Sequence, residues 1–383
     1  MKNNDIQVSV VLPCLNEEQA VGVCIKKIQD VFDKHNIAGE IIVVDNGSTD
    51  KSAEIASGLS ARVAYQQIKG YGAAYIKGIN ESNGKYIVIG DADDTYDFYD
   101  IPMFIEILDR GYDLVMGSRF KGKMAKGAMS WSHKFIGNPI ITFVFETFFH
   151  TDLSDVLSGM RAFTKDAYYR MKLKCLGMEF GTEMIFSALQ KRMKIAEIPI
   201  NYYPRKGQSK LNSFQDAWRY FRFMLLFSPD WLFLVPGLLL FFGGLAALLL
   251  SGWGKLVFLG HRFDIHGMVF FTIFALMGFQ IINLGFFAKS YSYLEGFIQR
   301  DKLIEKIQGK FDLEKGIFIG GILSVLGLII CIYIFAKWAK IGFGALNEVK
   351  LGLLGLLCMI LGIQIVFSSF FFSLLNLRRK KDD

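Results

Sequence analysis

Asp91, Asp93, Asp94 and Asp97 crowd into seven residues after an apolar run, in YIVIGDADDTYD, Tyr86 to Asp97. Like charges this close repel, and a solvated turn needs only one or two of them. Carboxylates spaced i, i+2 after a strand can point to one side and share a hard divalent cation, Mg2+ or Mn2+, whose other ligands are waters and phosphate oxygens. Asp91 and Asp93 have that spacing, with Ala92 between them. The plainer reading is an acidic turn whose last member, Asp97, caps the next helix. DxD alone does not decide between the two.

Three more groups follow the same pattern of polar residues after an apolar run. PCLNEE, Pro13 to Glu18, brings Asn16, Glu17 and Glu18 to a helix start, where capping accounts for one of them. VVDNGSTD supplies Asp45, able to accept hydrogen bonds from a base or ribose, then a turn at Gly47. GSRF places Arg119 ahead of Lys121, Lys123 and Lys126. These are solvated charges by default, or a grip on phosphate if an acidic metal site lies opposite. A Gly-rich loop, KGYGAA, sets Lys69, Gly70 and Gly72 near a helix N-terminus, where close backbone approach favours an anion; on its own such a loop is a weak signal.

The elements that must hold these groups alternate. Runs at Ile6 to Leu12, Glu40 to Val44, Arg62 to Gln66, Tyr86 to Gly90 and Asp113 to Ser118 suit strands. Segments around Glu17 to His35, Ala73 to Glu81 and Ile101 to Asp109 have helical periodicity. That alternation predicts an α/β fold, a mostly parallel sheet with helices on both faces, and runs such as IIVV and YIVI fit strands buried on both sides. Ligands of open α/β sheets bind beyond the carboxyl ends of the strands, so Asp45, Asp91 and Arg119 converge on one rim.

The chain has 383 residues, 52% of them hydrophobic, too apolar for a purely soluble protein. The excess begins after Pro229, where long apolar runs alternate with short basic loops. The expected organisation is a soluble head over 1–211, an amphipathic interfacial helix over 212–229 and a membrane domain over 230–383 with spans near 231–250, 267–288, 316–336 and 351–375. In the amphipathic stretch, Phe214, Ala217, Trp218, Phe221, Met224 and Leu225 share one face and Gln215, Asp216, Arg219 and Arg222 the other, with Asn212 or Ser213 as N-cap. A helix packed on the head's core is the alternative. Lys289, Arg300, Lys302, Lys306, Lys310 and Lys315 fill the middle loop and RRKK lies near the C-terminus, so head, middle loop and C-terminus are expected in the cytoplasm. MKNNDIQVSVVLP lacks a basic region followed by an apolar core, so no cleavable signal peptide is expected. In the second span, Gln280 and Asn283 read as interhelical hydrogen-bond partners.

Cys14, Cys24, Cys175, Cys331 and Cys358 are odd in number, lack a CxxC pair and read as free thiols; the five histidines show no metal-ligand spacing. The net charge of +7 lies largely beside the apolar segments, which favours an anionic membrane surface over nucleic acid.

Taken in order, PCLNEE, VVDNGSTD, KGYGAA, GDADD, GSRF, SGMRAF and RKGQSKL resemble family two glycosyltransferases of the GT-A fold. The dolichyl-phosphate mannose and glucose synthase branch, with its polyprenyl-phosphate relatives, is the most similar. The resemblance covers about Ile6 to Leu211 and implies a nucleotide-sugar site made of Pro13, Asn16, Glu17, Asp45, Gly47, Lys69, Gly70, Gly72, Asp91, Ala92, Asp93 and Arg205. Asp91 and Asp93 would hold Mg2+ or Mn2+ under the diphosphate. Arg119, Lys134, Ser209 and Lys210 would meet the acceptor phosphate, with Arg205 and Lys210 closing over both substrates. His133 sits in the same acceptor loop. Arg161 and Glu183 also match family patterns, with a structural role as the alternative.

The implied reaction transfers one hexose from a donor of GDP-mannose or UDP-glucose type to a polyprenyl or dolichyl phosphate, with inversion. The lipid-linked sugar would serve cell-envelope or protein glycosylation, and association with a second copy is left open. A phosphate nucleophile is already an oxyanion, so cations matter more than a general base. A processive polysaccharide synthase and a non-catalytic membrane scaffold are the alternatives. The first carries QxxRW before a membrane helix, where this chain reads QDAWR.

Overall fold

The computed structural model describes residues 6–207, 213–258, 261–294 and 313–377. It divides into two compact units, Met1–Met224 and Leu225–Asp383.

In the first unit, β1 (Val8–Cys14), β2 (Gly39–Asp45), β3 (Arg62–Tyr65), β4 (Tyr86–Ile89), β5 (Leu114–Ser118), β6 (Arg161–Thr164) and β7 (Ile195–Pro199) form one sheet ordered β3-β2-β1-β4-β6-β5-β7. Every pairing is parallel except those of β6, which runs against both β4 and β5. The strands alternate between two covered faces. Val10, Leu12 and Val43 point into a core shared with Ile25 and Ile28 of α1 (Val21–His35) and Phe104 of α4 (Ile101–Asp109). Val11 and Val44 point the other way, toward Gly78 of α3 (Tyr71–Glu81). A helix on each face leaves no solvated side for polar alternation, which explains the near-continuous apolar runs. The remaining helices of this unit are α2 (Ser52–Gly58), α5 (Asn138–Phe149, entered through a π turn at His133–Gly137), α6 (Lys165–Met171), α7 (Phe180–Gln190) and most of α8 (Ser213–Leu226).

Two helices of the head carry apolar residues in unexpected places. Around α5, Trp131, Phe135, Ile140 and Phe143 are 67%, 59%, 55% and 66% exposed, an apolar face that the sequence reading missed. In α8, Phe223 and Met224 are buried, Phe223 edge-on to Phe186 of α7 at 6.2 Å, while Trp218 is exposed. The last turn of α8 therefore packs into the head's core.

The second unit contains the four expected apolar helices, Asp230–Gly252, Ile265–Tyr293, Leu313–Lys340 and Val349–Leu375, each long enough to cross a hydrocarbon core of ~30 Å. Their regular α-helical parts are α9 (Val235–Gly252), α10 (Ile265–Leu294), α11 (Leu313–Lys340) and α12 (Val349–Leu377). They pair as α9 with α10 and α11 with α12 through small residues. A Cβ on Gly278 would stand 2.3 Å from the Phe241 nitrogen, and one on Gly320 2.6 Å from the Gly362 oxygen, so only glycine allows these backbones to meet. Gln280 accepts a hydrogen bond from Nε2 of Gln364 in α12 at 3.2 Å, the interhelical role expected of it. The Asn283 amide nitrogen has no such partner among the described residues. Lys289 is buried against Asp230, Nζ lying 2.7 and 2.9 Å from its two oxygens.

Candidate active site

The carboxyl ends of β1, β2, β4 and β5 lie along one rim, and the loops leaving them are laced together. Asn16, in left-handed backbone at φ 51°, receives Thr49 N–H on its side-chain oxygen at 2.7 Å and donates its own N–H to Ser48 Oγ at 3.0 Å. Glu17 N–H reaches Ser52 Oγ at 2.8 Å, and Glu18 N–H reaches Asp50 at 3.1 Å. The polar residues of PCLNEE and NGSTD therefore spend much of their hydrogen bonding on each other. Asp45 is buried and accepts Ser48 N–H at 3.1 Å, and Gly47, at φ 95°, makes the turn. Pro13 closes β1 beside Val44.

The acidic turn sorts its four carboxylates by partner. Asp91 Oδ1 accepts the hydroxyls of Tyr71 (2.9 Å) and Tyr75 (3.3 Å), one turn apart on α3. Burial, aided by the charge of Asp93, pushes the Asp91 carboxyl up to about 7. Asp93 Oδ1 caps Thr95 through N–H (3.1 Å) and hydroxyl (2.6 Å), and its Oδ2 faces Arg205 Nη1 at 3.2 Å. Asp94 sits in left-handed backbone at φ 64° between Lys27 of α1 (2.8 Å) and Lys206 (2.7 Å). Asp97 accepts Tyr99 N–H at 3.3 Å, the helix cap expected of it. Ala92, between Asp91 and Asp93 in the chain, is buried.

The segment 203–207 lies along this turn. Tyr203 N–H reaches Thr95 O at 2.8 Å, Lys206 N–H reaches Asp93 O at 3.1 Å, and Arg205 bonds Glu17 as well as Asp93. Arg205 Nε is buried and has no hydrogen-bond partner among the described residues. Ser209 and Lys210, further along RKGQSKL, lie outside those residues.

The structure separates other expected residues from this centre or gives them different work. Arg119 is buried and held by Asp155 through Nε at 2.7 Å and Nη2 at 2.8 Å, with its guanidinium 5.2 Å over the Tyr202 ring. Burial works against that charge, but Asp155 beside it keeps the guanidinium protonated. Gly70 and Gly72 do make the expected close approach, yet to the chain's own Cys175–Gly177 segment. A Cβ at either would stand 2.2 Å from a carbonyl oxygen there. The amides of Gly70, Gly72 and Ala73 bond Asn46, Gly177 and Leu176, so the anion cradle read into Lys69–Ala74 is filled by protein. Lys134 lies in the π turn before α5, its Nζ 5.5 Å over the Phe135 ring, and His133 N–H approaches Ser130 Oγ at 3.4 Å. Arg161 is buried and donates to the carbonyls of Ser158, Val156 and Gly181. Glu183 accepts the N–H groups of Lys174 and Cys175 at 2.9 and 2.8 Å. Both take the structural alternative. All five cysteines are free, and burial pushes Cys14 and Cys24 up to about 11 and about 12, which leaves them poor nucleophiles.

The donor set fits a hard divalent cation. Asp91 and Asp93 offer oxygen ligands, and burial, with the charge of Asp93 adding to it, raises the Asp91 carboxyl in a way a bound cation would reverse. Among the described residues no cluster of three or more His, Cys, Asp or Glu could hold a metal, so a cation here would depend on substrate oxygens and water for the rest of its shell.

Comparison with known proteins assigns the family. Residues 9–171 match Glycosyl transferase family 2, and residues 286–376 match the Glycosyltransferase family 2 C-terminal transmembrane region. The chain is 37% identical over 364 residues to the low-salt glycan biosynthesis hexosyltransferase Agl6 of Haloferax volcanii, covering 94% of this chain and 87% of that one. The chain belongs to glycosyltransferase family two. This family two enzyme is also 31% identical over 208 residues to a dolichyl-phosphate hexose transferase of the same organism, across 54% of this chain and 87% of the relative. Glucosyl-3-phosphoglycerate synthase from Mycobacterium tuberculosis, solved with Mn2+, UDP-glucose and phosphoglyceric acid, aligns at TM-score 0.47 and 21% identity over 57% of this chain and 78% of that one. The protein is thus a membrane glycosyltransferase with an α/β head.

The residues that sequence reading missed are those that hold the named ones: Tyr71 and Tyr75 for Asp91, Asp155 for Arg119, and Lys27 and Lys206 for Asp94. Two signals were present. Tyr75 lies on the helix expected from Ala73 and Tyr71 stands one turn ahead of it, and Lys27 flanks the buried stripe Cys24, Ile25, Ile28 and Val31.

Proposed function

We propose that this glycosyltransferase moves one hexose from a nucleoside diphosphate sugar to a polyprenyl or dolichyl phosphate. The observation that carries the reading is the ion pair of Arg205, from the segment ahead of the membrane unit, with Asp93, two residues along the acidic turn from Asp91. Carboxylates for a cation and a guanidinium for phosphate form a site for a leaving diphosphate.

A cation held by Asp91 and Asp93 would neutralise charge developing on the departing diphosphate. Arg205, whose Nε lacks a partner among the described residues, binds phosphate oxygens. Glu17 and Asp45, at the ends of β1 and β2, orient base and ribose. Arg119 is kept charged by Asp155 and presents positive potential to the incoming acceptor, helped by Lys134 and by Ser209 and Lys210. An acceptor phosphate near neutral pH is already anionic and attacks the anomeric carbon without a general base, in line with the diphosphate and with inversion.

A lipid acceptor is supported by the exposed apolar face around α5. Trp131, Phe135, Ile140 and Phe143 stand out from a head that also carries Lys121, Lys123, Lys126 and Lys134, the composition of a surface that rests on anionic lipid. Helix α8 contributes Trp218 to the same purpose, and head and C-terminus face the cytoplasm.

Incubation of the full-length protein with polyprenyl phosphate, Mn2+ and GDP-mannose, UDP-glucose or UDP-N-acetylglucosamine tests the proposal. One of these donors gives a lipid bearing a single sugar. Polymer, or transfer only to non-lipid acceptors, overturns it.

A further inference from the structure

Arg205 bridges two carboxylates from different strand ends, Glu17 after β1 and Asp93 after β4. It does so although Asp93 is one of the two residues suited to a cation. Its neighbour Lys206 is bound independently to Asp94, whose other oxygen is held by Lys27 from α1. The backbone is fixed on both sides, by Tyr203 N–H on Thr95 O and Lys206 N–H on Asp93 O. The segment is therefore attached to the acidic turn in two separable ways: a clasp through Asp94, and a charge pairing through Arg205.

The two attachments respond differently to a cation. The Lys27–Asp94–Lys206 clasp uses a carboxylate outside the Asp91/Asp93 pair, so a cation there leaves it intact. The Arg205 contact uses Oδ2 of Asp93 itself, and a guanidinium and a divalent cation cannot both take that oxygen at full strength. An acidic turn with no positive partner would be costly at this level of burial, since Asp93 is 7% exposed and Asp94 6%.

We propose that Arg205 is the built-in counter-ion of the cation site. It neutralises Glu17 and Asp93 before substrate arrives, yields Asp93 to the cation, and is then released toward the diphosphate while the Asp94 clasp keeps it within reach. The inference rests on the reading of Asp91 and Asp93 as cation ligands. Its consequence is an order of events. Cation alone competes with Arg205 and binds weakly; a nucleoside diphosphate gives Arg205 a new partner and removes the competition, so cation and nucleotide bind with positive coupling. Bare metal is thereby discouraged from occupying the site without its sugar donor.

The test is Mn2+ binding to the full-length protein in detergent, read from the electron paramagnetic resonance signal of free Mn2+, with and without GDP or UDP. Arg205→Gln binds Mn2+ at least fivefold more tightly than the parent when no nucleotide is present, and nucleotide tightens it less than it tightens the parent. Arg205→Lys, which keeps the charge, stays near the parent value and controls for loss of folding. Unchanged or weaker Mn2+ binding by Arg205→Gln overturns the counter-ion role. If the parent binds no Mn2+ even with nucleotide, and Asp91→Asn and Asp93→Asn change nothing, the reading of the cation site falls and takes this inference with it.

Discussion

Asp155 holds Arg119 by two parallel contacts, Nε at 2.7 Å and Nη2 at 2.8 Å, and also accepts the Arg119 backbone N–H at 3.1 Å. Both side chains are almost fully buried. Such a pair adds little over an apolar packing, but removing one member strands the other's charge, at a cost of about 3–5 kcal/mol. Asp155→Ala therefore lowers the unfolding temperature of the full-length protein and cuts transfer, whereas Asp155→Asn, which keeps an acceptor, loses less stability. Equal unfolding temperatures for parent and Asp155→Ala would show that the pair contributes nothing to stability.

Asp91 predicts a pH limb. With its carboxyl pushed up to about 7 by burial and by Asp93, the ionised form recedes as pH falls through neutrality. A cation takes the ionised form, so Mn2+ affinity drops about tenfold per pH unit below the midpoint, and excess Mn2+ moves the midpoint down. The Tyr71 hydroxyl stabilises the carboxylate, so Tyr71→Phe moves the limb to higher pH. Mn2+ titrations across neutrality in parent and variant decide this; a limb that stays in place contradicts the assignment.

Asp100 predicts a stability effect of the opposite kind to the usual ion pair. Burial pushes its carboxyl up to about 6, so the folded chain binds this proton more readily than the unfolded one. Stability falls as pH rises from about 4 to about 6, and the loss is complete above that window. Asp100→Asn keeps an oxygen for the Asn201 N–H, 3.3 Å away, and removes the charge. Thermal melts should show the variant more stable than the parent on the alkaline side of the window and equal to it near pH 4.

In the membrane unit, the Gln280–Gln364 bond couples two spans. Helical hydrogen bonds in lipid are worth about 0.6 kcal/mol on average, so a double-mutant cycle with Gln280→Leu and Gln364→Leu should give a coupling of that order. Additive effects would show that the 3.2 Å contact carries no energy.

The rim was legible because its residues follow apolar runs, and a parallel sheet puts the ends of such runs together. Asp45, Asp91, Asp93 and Arg119 could be found that way. Their partners could not. Tyr71, Lys27, Asp155 and Lys206 act across separations set by the packing of helices on the sheet, and each had an ordinary local reading as core, surface or loop. Gly70 and Gly72 show the reverse failure. Their need for close approach was legible, but nothing local said that the approaching group would be the carbonyls of residues 175–177. Strand β6, RAFT, is as long as β3 and β4 but has only two apolar residues between Arg161 and Thr164, too little of an apolar run to be read alone.

That reversed strand has a further consequence. β1, β2, β3, β4, β5 and β7 deliver chain to the rim, whereas β6 departs from it. Residues just ahead of β6 thus meet the same rim from the other direction: Asp155 against Arg119, and Gly159, where an added Cβ would sit 2.9 Å from an Asp91 oxygen. The sheet has outgoing traffic at six places and an intake at a seventh. A change of length or composition in the intake loop would reach Arg119 and Asp91 together, so one short loop can retune both places while every strand of the sheet keeps its register.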